Sequence, residues 1–248
     1  MNATARVGCS GWDYRHWRGP VYPPALARRR WFDHYTSLFD TVELNATFYR
    51  LPSAATIEHW AGQAPAGFTY AAKLGSYGSH RRKLREPEVW LGNHVQRLAG
   101  LGPAAGPTLV QLPPRWRRDT SRLEDLLATA ATMAPASRWA VELRDPSWLH
   151  DETYEVLARH QAALCVHDLL AGHPWERTAP WTYVRFHGPR ALEHPYQGRY
   201  GAPALAGPAE RLAAWLAGGS DVYAYFNNDD SGHAVADARW LASALDPT

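Results

Sequence analysis

The feature that most constrains this chain is a series of short apolar runs, each closed by a turn and followed by a helix-like pattern. The runs are Val7–Ser10, Thr41–Asn45, Phe68–Lys73, Thr108–Leu112, Trp139–Arg144, Ala163–His167, Thr182–His187 and Asp221–Asn227. Helical periodicity covers Ala27–Phe39, Ala54–Gly62, Pro87–Leu98, Ser121–Met133, Asp151–His160, Pro208–Leu216 and Ala234–Leu245. Ser121 and Glu124 have capping-box spacing, and Pro208 sits where a first-turn proline is tolerated. Only the sixth run lacks a helix after it, since Leu170–Pro180 is short and loop-like. Strands and helices alternating in this order predict a parallel sheet. The 248 residues match one α/β barrel. Residues 1–248 are therefore expected to form a single (β/α)8 TIM-barrel domain. No Gly-x-Gly-x-x-Gly follows the first run, which weighs against a dinucleotide fold.

Composition narrows the class further. Hydrophobic residues make up 46% of the chain, enough for a sizeable core and too many for a disordered one. No stretch approaches the roughly 18 to 20 uninterrupted apolar residues of a membrane span. The first residues run into an apolar strand without a signal-peptide pattern, so a cytoplasmic protein with no membrane partner is expected. Cys9 and Cys165 fall inside strands and read as small buried hydrophobes. Several of the 12 tryptophans stand beside charged or turn residues, as in Gly11-Trp12-Asp13, Arg115-Trp116-Arg117 and Pro146-Ser147-Trp148. Such a tryptophan either caps the barrel or lines a ligand site.

In barrels of this kind the chemistry sits at the C-terminal ends of the strands. Strand alternation assigns the inward faces. Glu43 and Asn45 share one face in the second strand, Glu142 and Arg144 in the fifth, and Tyr183, Arg185 and His187 in the seventh. Lys73 ends the third strand, Gln111 the fourth, His167 and Asp168 the sixth, Asn227 and Asn228 the eighth. Burying so many charges requires partners. Glu142 with Lys73 or Arg144, and Asp168 with Arg185, are the expected pairs. A satisfied polar plug is the plainer alternative to a ligand site.

The loops after the strands are basic and aromatic. They carry Tyr14 to Arg18, with Trp12 just before; Ser79-His80-Arg81-Arg82-Lys83-Leu84-Arg85; Pro113 to Arg118; and, after strand seven, Arg190, His194, Tyr196, Arg199 and Tyr200. Arginine suits phosphate through paired hydrogen bonds, and interleaved aromatics suit bases or sugars through stacking. The span Gly188–Gly207, punctuated by Pro189, Pro195 and Pro203, reads as a long functional loop in which Arg199 and Tyr200 close over a phosphate. Arg28-Arg29-Arg30, on the first helix, reads as solvated surface.

Several segments are familiar together: Val7-Gly8-Cys9-Ser10-Gly11-Trp12, Val42-Glu43-Leu44-Asn45-Ala46-Thr47-Phe48-Tyr49, Phe68 to Lys73, Val141-Glu142-Leu143-Arg144 and Tyr225-Phe226-Asn227-Asn228. They resemble the YecE-like family, domain of unknown function 72, from the first strand to the last. The resemblance implies a barrel and assigns no reaction. Its motif positions here, Glu43, Asn45, Lys73, Glu142, Arg144, His187, Asn227 and Asn228, coincide with the inward-facing set.

Three functions compete. The first is an enzyme acting on a phosphate-bearing substrate (a nucleotide, nucleic acid or sugar phosphate), with Glu43 or Glu142 as base, His187 or His167 as proton donor, and Lys73, Arg144 and Arg185 stabilising negative charge. Trp12, Tyr49, Arg81, Arg82 and Gln111 join Asn45, Asp168, Arg199, Tyr200, Asn227 and Asn228 as expected substrate-binding residues. The second places a divalent metal among Glu43, Glu142, Asp168 and His187 for phosphoester hydrolysis or isomerisation, although no His-x-x-x-His-type spacing supports it. The third is a non-catalytic binder of single-stranded nucleic acid or an anionic metabolite. Glycoside hydrolysis by Glu43 and Glu142 is weaker, because arginine surrounds the mouth. Ser10 and Cys9 are nucleophiles by position only.

Overall fold

The computed structural model describes residues 3–246. Its strands are β1 (Ala5–Cys9), β2 (Thr41–Leu44), β3 (Thr69–Lys73), β4 (Ala105–Gln111), β5 (Trp139–Glu142), β6 (Ala163–His167), β7 (Trp181–Phe186) and β8 (Asp221–Phe226). They form a closed barrel in sequence order. The helices are α1 (Trp31–Thr36), α2 (Ala46–Tyr49), α3 (Ala54–Gln63), α4 (Pro87–Ala99), α5 (Thr120–Met133), α6 (Asp151–Arg159), α7 (Gly201–Ala217) and α8 (His233–Leu245). No described helix is long and apolar enough to cross a membrane. Every residue of β2, β3, β5, β6 and β7 is buried. Parallel strands covered by helices have this character, and it explains why their sequences read as near-continuous apolar runs.

The chain divides into two compact units. One contains the residues up to Glu43, His167–Ala171, and those from Pro180 onward. Here β8 pairs in parallel with β1 from Ala5↔Val222 to Cys9↔Phe226, and with β7 from Trp181↔Asp221 to Phe186↔Phe226. Aromatic stacking fills this unit: Phe186 on Phe226 at 4.5 Å and Tyr22 on Trp31 at 4.7 Å. The other unit contains Leu44–Val166 and Gly172–Ala179. Its core packs Leu91 of α4, Leu123 and Leu126 of α5 and Leu157 of α6 against Val110, Val141 and Leu164. Trp116 and Trp148 belong to that core, with the Trp148 indole donating to the Trp116 carbonyl at 2.7 Å. These two tryptophans therefore cap the hydrophobic interior. Cys9 and Cys165 are buried and form no disulfide, and Leu170–Pro180 carries no helix.

Three helix starts depart from the sequence expectation. The first helix is a 3-10 turn at Arg28–Arg30 running into a short α1, because its polar stretch makes exposed local bonds such as Arg28 to both Asp13 oxygens at 2.7 and 2.5 Å. The N-cap of α5 is Asp119, whose carboxylate accepts from the Arg122 N–H, and Ser121 lies inside the helix. A carboxylate cap also suits the positive end of the helix dipole. Finally, α7 begins at Gly201 with Pro208 in its interior. Asp237 of α8 accepts the Tyr200 and Gly201 N–H groups at 3.0 and 3.1 Å, fixing the start seven residues early. The long loop therefore spans 188–200.

His94 of α4 is buried, and burial lowers its ring to about 4. The unfolded chain takes up this proton near pH 6.5, so between about pH 6.5 and 4 the unfolded state holds more protons than the native one. Stability is then full above about pH 6.5 and falls as pH drops through that window, by about 3 kcal/mol in all. His94→Phe is expected to flatten this dependence, read as convergence of the urea midpoints at pH 7 and pH 4.5.

Candidate functional site: polar clusters at the C-terminal strand ends

Alternation brings one set of side chains together in the first unit. Glu43, near the end of β2, is completely buried. Its Oε1 accepts from Ser10 Oγ at 2.7 Å and from Arg185 Nη2 and Nε at 2.8 and 3.2 Å; its Oε2 accepts from the Tyr183 hydroxyl at 2.6 Å. Arg185 is 1% exposed. Arg185 thus pairs with Glu43, and the expected pairing with Asp168 is replaced. The reason is directional: Glu43, Tyr183 and Arg185 all project to the inside of their strands, whereas Asp168 lies just past β6. Both oxygens of this carboxylate are thus already engaged by donors. Ser10 spends its proton on that carboxylate, and burial pushes the Cys9 thiol far above its ordinary value, so neither is an activated nucleophile.

A second group surrounds His187, which follows β7 and is fully buried. Its Nδ1–H donates to Asp168 Oδ1 at 2.9 Å, and its backbone N–H reaches both Asp168 oxygens at 3.1 and 3.0 Å. The Tyr200 hydroxyl donates to Asp168 Oδ2 and accepts from the Gly188 N–H. Burial alone would raise the Asp168 carboxyl, but His187 and Tyr200 together hold it below the usual carboxylate range. The His167 ring stands edge-on to His187 at 6.1 Å, and its Nδ1 accepts from the Leu169 N–H. A carboxylate fixing one ring nitrogen sets the tautomer of the other, the arrangement used by acid/base histidines.

The loop 188–200 folds over this group. Gly188 has φ +129°, and a Cβ there would lie 2.4 Å from the Gln197 carbonyl oxygen. Tyr196 packs its ring on His187 at 5.7 Å. The far end of the loop is tied by Asp237, which also accepts from Asn228 Nδ2 at 2.9 Å. Asn228 donates as well to the Gly198 carbonyl, and its Oδ1 is buried without a hydrogen-bond partner. Asn227 is buried, with its N–H on the Phe186 carbonyl. Arg199 is exposed, its Nε 3.9 Å from Asp237. Trp12 is half-buried against Phe32 at 5.1 Å.

In the second unit, Glu142 at the end of β5 is fully buried and accepts from Arg144 Nη1 at 2.7 Å, one of the two expected pairings. Gln111 of β4 pairs in register beside Glu142. Lys73 ends β3 with its Nζ 4.4 Å from the centre of the Phe48 ring. The hydroxyl of Thr47, on α2, lies 2.6 Å from the Lys73 carbonyl and 3.1 Å from its N–H, which anchors the strand end. His80 is the residue the sequence reading passed over as part of a basic run. Its ring meets Phe48 edge-on at 4.9 Å and its Nδ1 lies 3.0 Å from Ser79 Oγ. Burial lowers the His80 ring, Lys73 and Arg144 lower it further, and Glu142 opposes them. These four ionisable groups therefore share one electrostatic environment.

Asn45 begins α2 as its N-cap with a helical backbone. Not every expected residue joins a cluster. Tyr49 is 82% exposed. Arg81 is exposed, and Arg82 forms an i,i+4 ion pair with Glu86. Arg118 approaches Glu152 at 3.4 Å. Among the described residues, no group of three or more His, Cys, Asp and Glu side chains is arranged to hold a metal ion.

These features define a parallel α/β barrel whose ionisable side chains gather at the C-terminal ends of its strands. The chain belongs to the DUF72 family, "Protein of unknown function DUF72", whose model matches residues 6–248. A curated relative, UPF0759 protein YunF of Bacillus subtilis, is 25% identical across 97% of this chain and 94% of its own length. UPF0759 protein YecE of Escherichia coli is 30% identical over 33% of this chain and 30% of its own. A crystal structure of a DUF72 family protein from Thermotoga maritima superposes with a TM-score of 0.86 at 26% identity, covering 98% of this chain and all (100%) of that one. A DUF72 protein from Enterococcus faecalis shares the fold at a TM-score of 0.77 and 18% identity, over 99% of each chain.

Arg185→Met should strand the Glu43 carboxylate in the interior and cost about 3–5 kcal/mol. The double variant Glu43→Met, Arg185→Met should recover much of that loss, measured as the coupling energy of a double-mutant cycle in urea.

Proposed function

We propose that this protein is an enzyme that acts on a phosphate-bearing substrate by general acid/base chemistry at the C-terminal strand ends. The observation that carries the reading is the Lys73–His80–Arg144–Glu142 cluster. Two cations stand close enough to one histidine to lower its pKa. Among these four residues two are cations and one is a carboxylate, Glu142, which engages Arg144. Fixed cations in a partly buried site are suited to phosphate oxygens, and act more strongly there than in water. A histidine with a lowered pKa is neutral at pH 7 and accepts a proton once the substrate phosphate is in place. The basic loop Arg81–Arg85 follows directly and draws anions toward the cluster.

Glu142 holds Arg144 in this reading, and Glu43 holds Arg185. Both carboxylates serve as positioning residues, and His80 takes the base role first expected of them. The His187–Asp168 pair supplies a second oriented imidazole in its own unit.

The test titrates the protein with inorganic phosphate, a sugar phosphate and a single-stranded oligonucleotide at two salt concentrations, followed by turnover assays on whichever binds. Lys73→Met is expected to weaken binding at least about tenfold, the effect of losing one charge-assisted contact. His80→Gln should keep binding and lower kcat by about 100-fold or more. The acidic limb of kcat/KM should lie below pH 6.5, because the catalytically required neutral His80 persists below its ordinary value. Binding without turnover would reduce the protein to an anion binder. No binding at low salt would overturn the reading.

A further inference from the structure

The unit that contains Lys73 and Glu142 has another distinctive feature at the opposite, N-terminal ends of its strands. A cavity of about 260 Å³ opens there between β3, β4 and β5 and the helices α4 and α5. Tyr70, Leu98, Thr108, Met133, His94 and Trp139 contribute to its wall. The β3–β4 register shifts between Tyr70 and Ala72 beside it. Gly106, where a Cβ would lie 2.4 Å from Thr69 Cγ2, permits the close strand approach at that irregularity.

The chemistry of the wall restricts what fits. No Asp, Glu, Lys or Arg lines the cavity. The Tyr70 hydroxyl is already committed to the Trp60 carbonyl. His94 is neutral above about pH 4, so an ionic guest finds no counter-charge. Two polar atoms of the lining residues remain unsatisfied: His94 Nε2 and Trp139 Nε1 are buried without hydrogen-bond partners, on rings whose centres are 6.5 Å apart. Leaving such atoms unpaired is costly, and native proteins seldom do so without a reason.

We propose that this cavity is a binding site for a small neutral molecule with an apolar body and one hydroxyl group, of the size and chemistry of a phenol. An apolar cavity of roughly 150 Å³ holds benzene, so this volume admits a substituted ring. The apolar walls take the ring. The hydroxyl relieves the deficit at the His94–Trp139 side: both nitrogens are closed off from the cavity as it stands, and a small rotation of either ring lets the guest donate to the imidazole or accept from the indole. Met133 of α5, 38% exposed, stands at the edge; its unbranched side chain moves aside easily for entry. The site is separate from the Lys73–His80 cluster and does not depend on the function proposed for it.

The experiment titrates the full chain with phenol and with benzene, following thermal melting and the ring resonances of 13C-labelled histidine. Phenol is expected to raise the melting temperature saturably, to shift the His94 resonances, and to bind about fivefold more tightly than benzene, the contribution of one hydrogen bond. His94→Phe should erase most of that preference while benzene still binds. Ala134→Phe, which fills the cavity from the end of α5, should abolish both, and Ala99→Phe from α4 is the second variant if the first fails to fold. Three outcomes would overturn the proposal: no response at millimolar phenol, a response that leaves the His94 resonances unmoved, or unchanged binding in the filled variants.

Discussion

A charge taken out of water must find an opposite charge, and that requirement organises the strand ends of this protein. Two glutamates are completely buried, and each meets an arginine: Glu43 meets Arg185 across strands, and Glu142 meets Arg144 two residues along its own chain. The energetic cost of an unpaired carboxylate in such a place far exceeds any single packing contact. The strand ends therefore have one acceptable arrangement each. In the first unit this constraint propagates outward. Tyr183 and Ser10 complete the Glu43 shell, Tyr14 donates to the Ser10 carbonyl at 2.5 Å, and Tyr225 sits between Tyr183 and Thr41.

The same constraint separates scaffold from chemistry. Glu43 is engaged by an arginine and two hydroxyl donors, and Glu142 by an arginine. The groups with adjustable chemistry are the histidines: His187, oriented by Asp168, and His80, next to Lys73 and Arg144. Two kinds of environment surround them. An adjacent carboxylate orients His187, whereas burial and neighbouring cations keep His80 neutral.

Much of the fold was legible because the physics of a buried parallel strand is local. Apolar runs of four to seven residues, separated by turn residues and helical periodicity, put all eight strands within a few residues of their observed bounds. Alternation then placed Glu43, Tyr183 and Arg185 on one interior face, and they are bonded to one another. What could not be read was pairing at a distance. Asp168 satisfies the backbone and ring of His187 because β6 ends one residue before it and β7 ends one residue before His187, a relation in space that neither segment encodes alone. Asp237 was missed for the same reason: in sequence it is one acid in an alanine-rich helix, yet it caps α7 and ties Asn228.

His80 shows a different limit. A histidine inside Ser79-His80-Arg81-Arg82-Lys83 looks like one more polar member of a solvated run, and composition alone supports that reading. The backbone there forms a π-helical turn from Tyr77 to Arg81 that buries Ser79 and tucks His80 against Phe48, while Arg81 faces water. Alternation along a strand has no counterpart in such a turn, so only the folded chain distinguishes this half-buried imidazole from its basic neighbours. Lys73 marks the boundary between the two regimes. Its place at the end of an apolar strand announced it in the sequence, and the histidine whose charge it opposes emerged only when the following loop coiled back over Phe48.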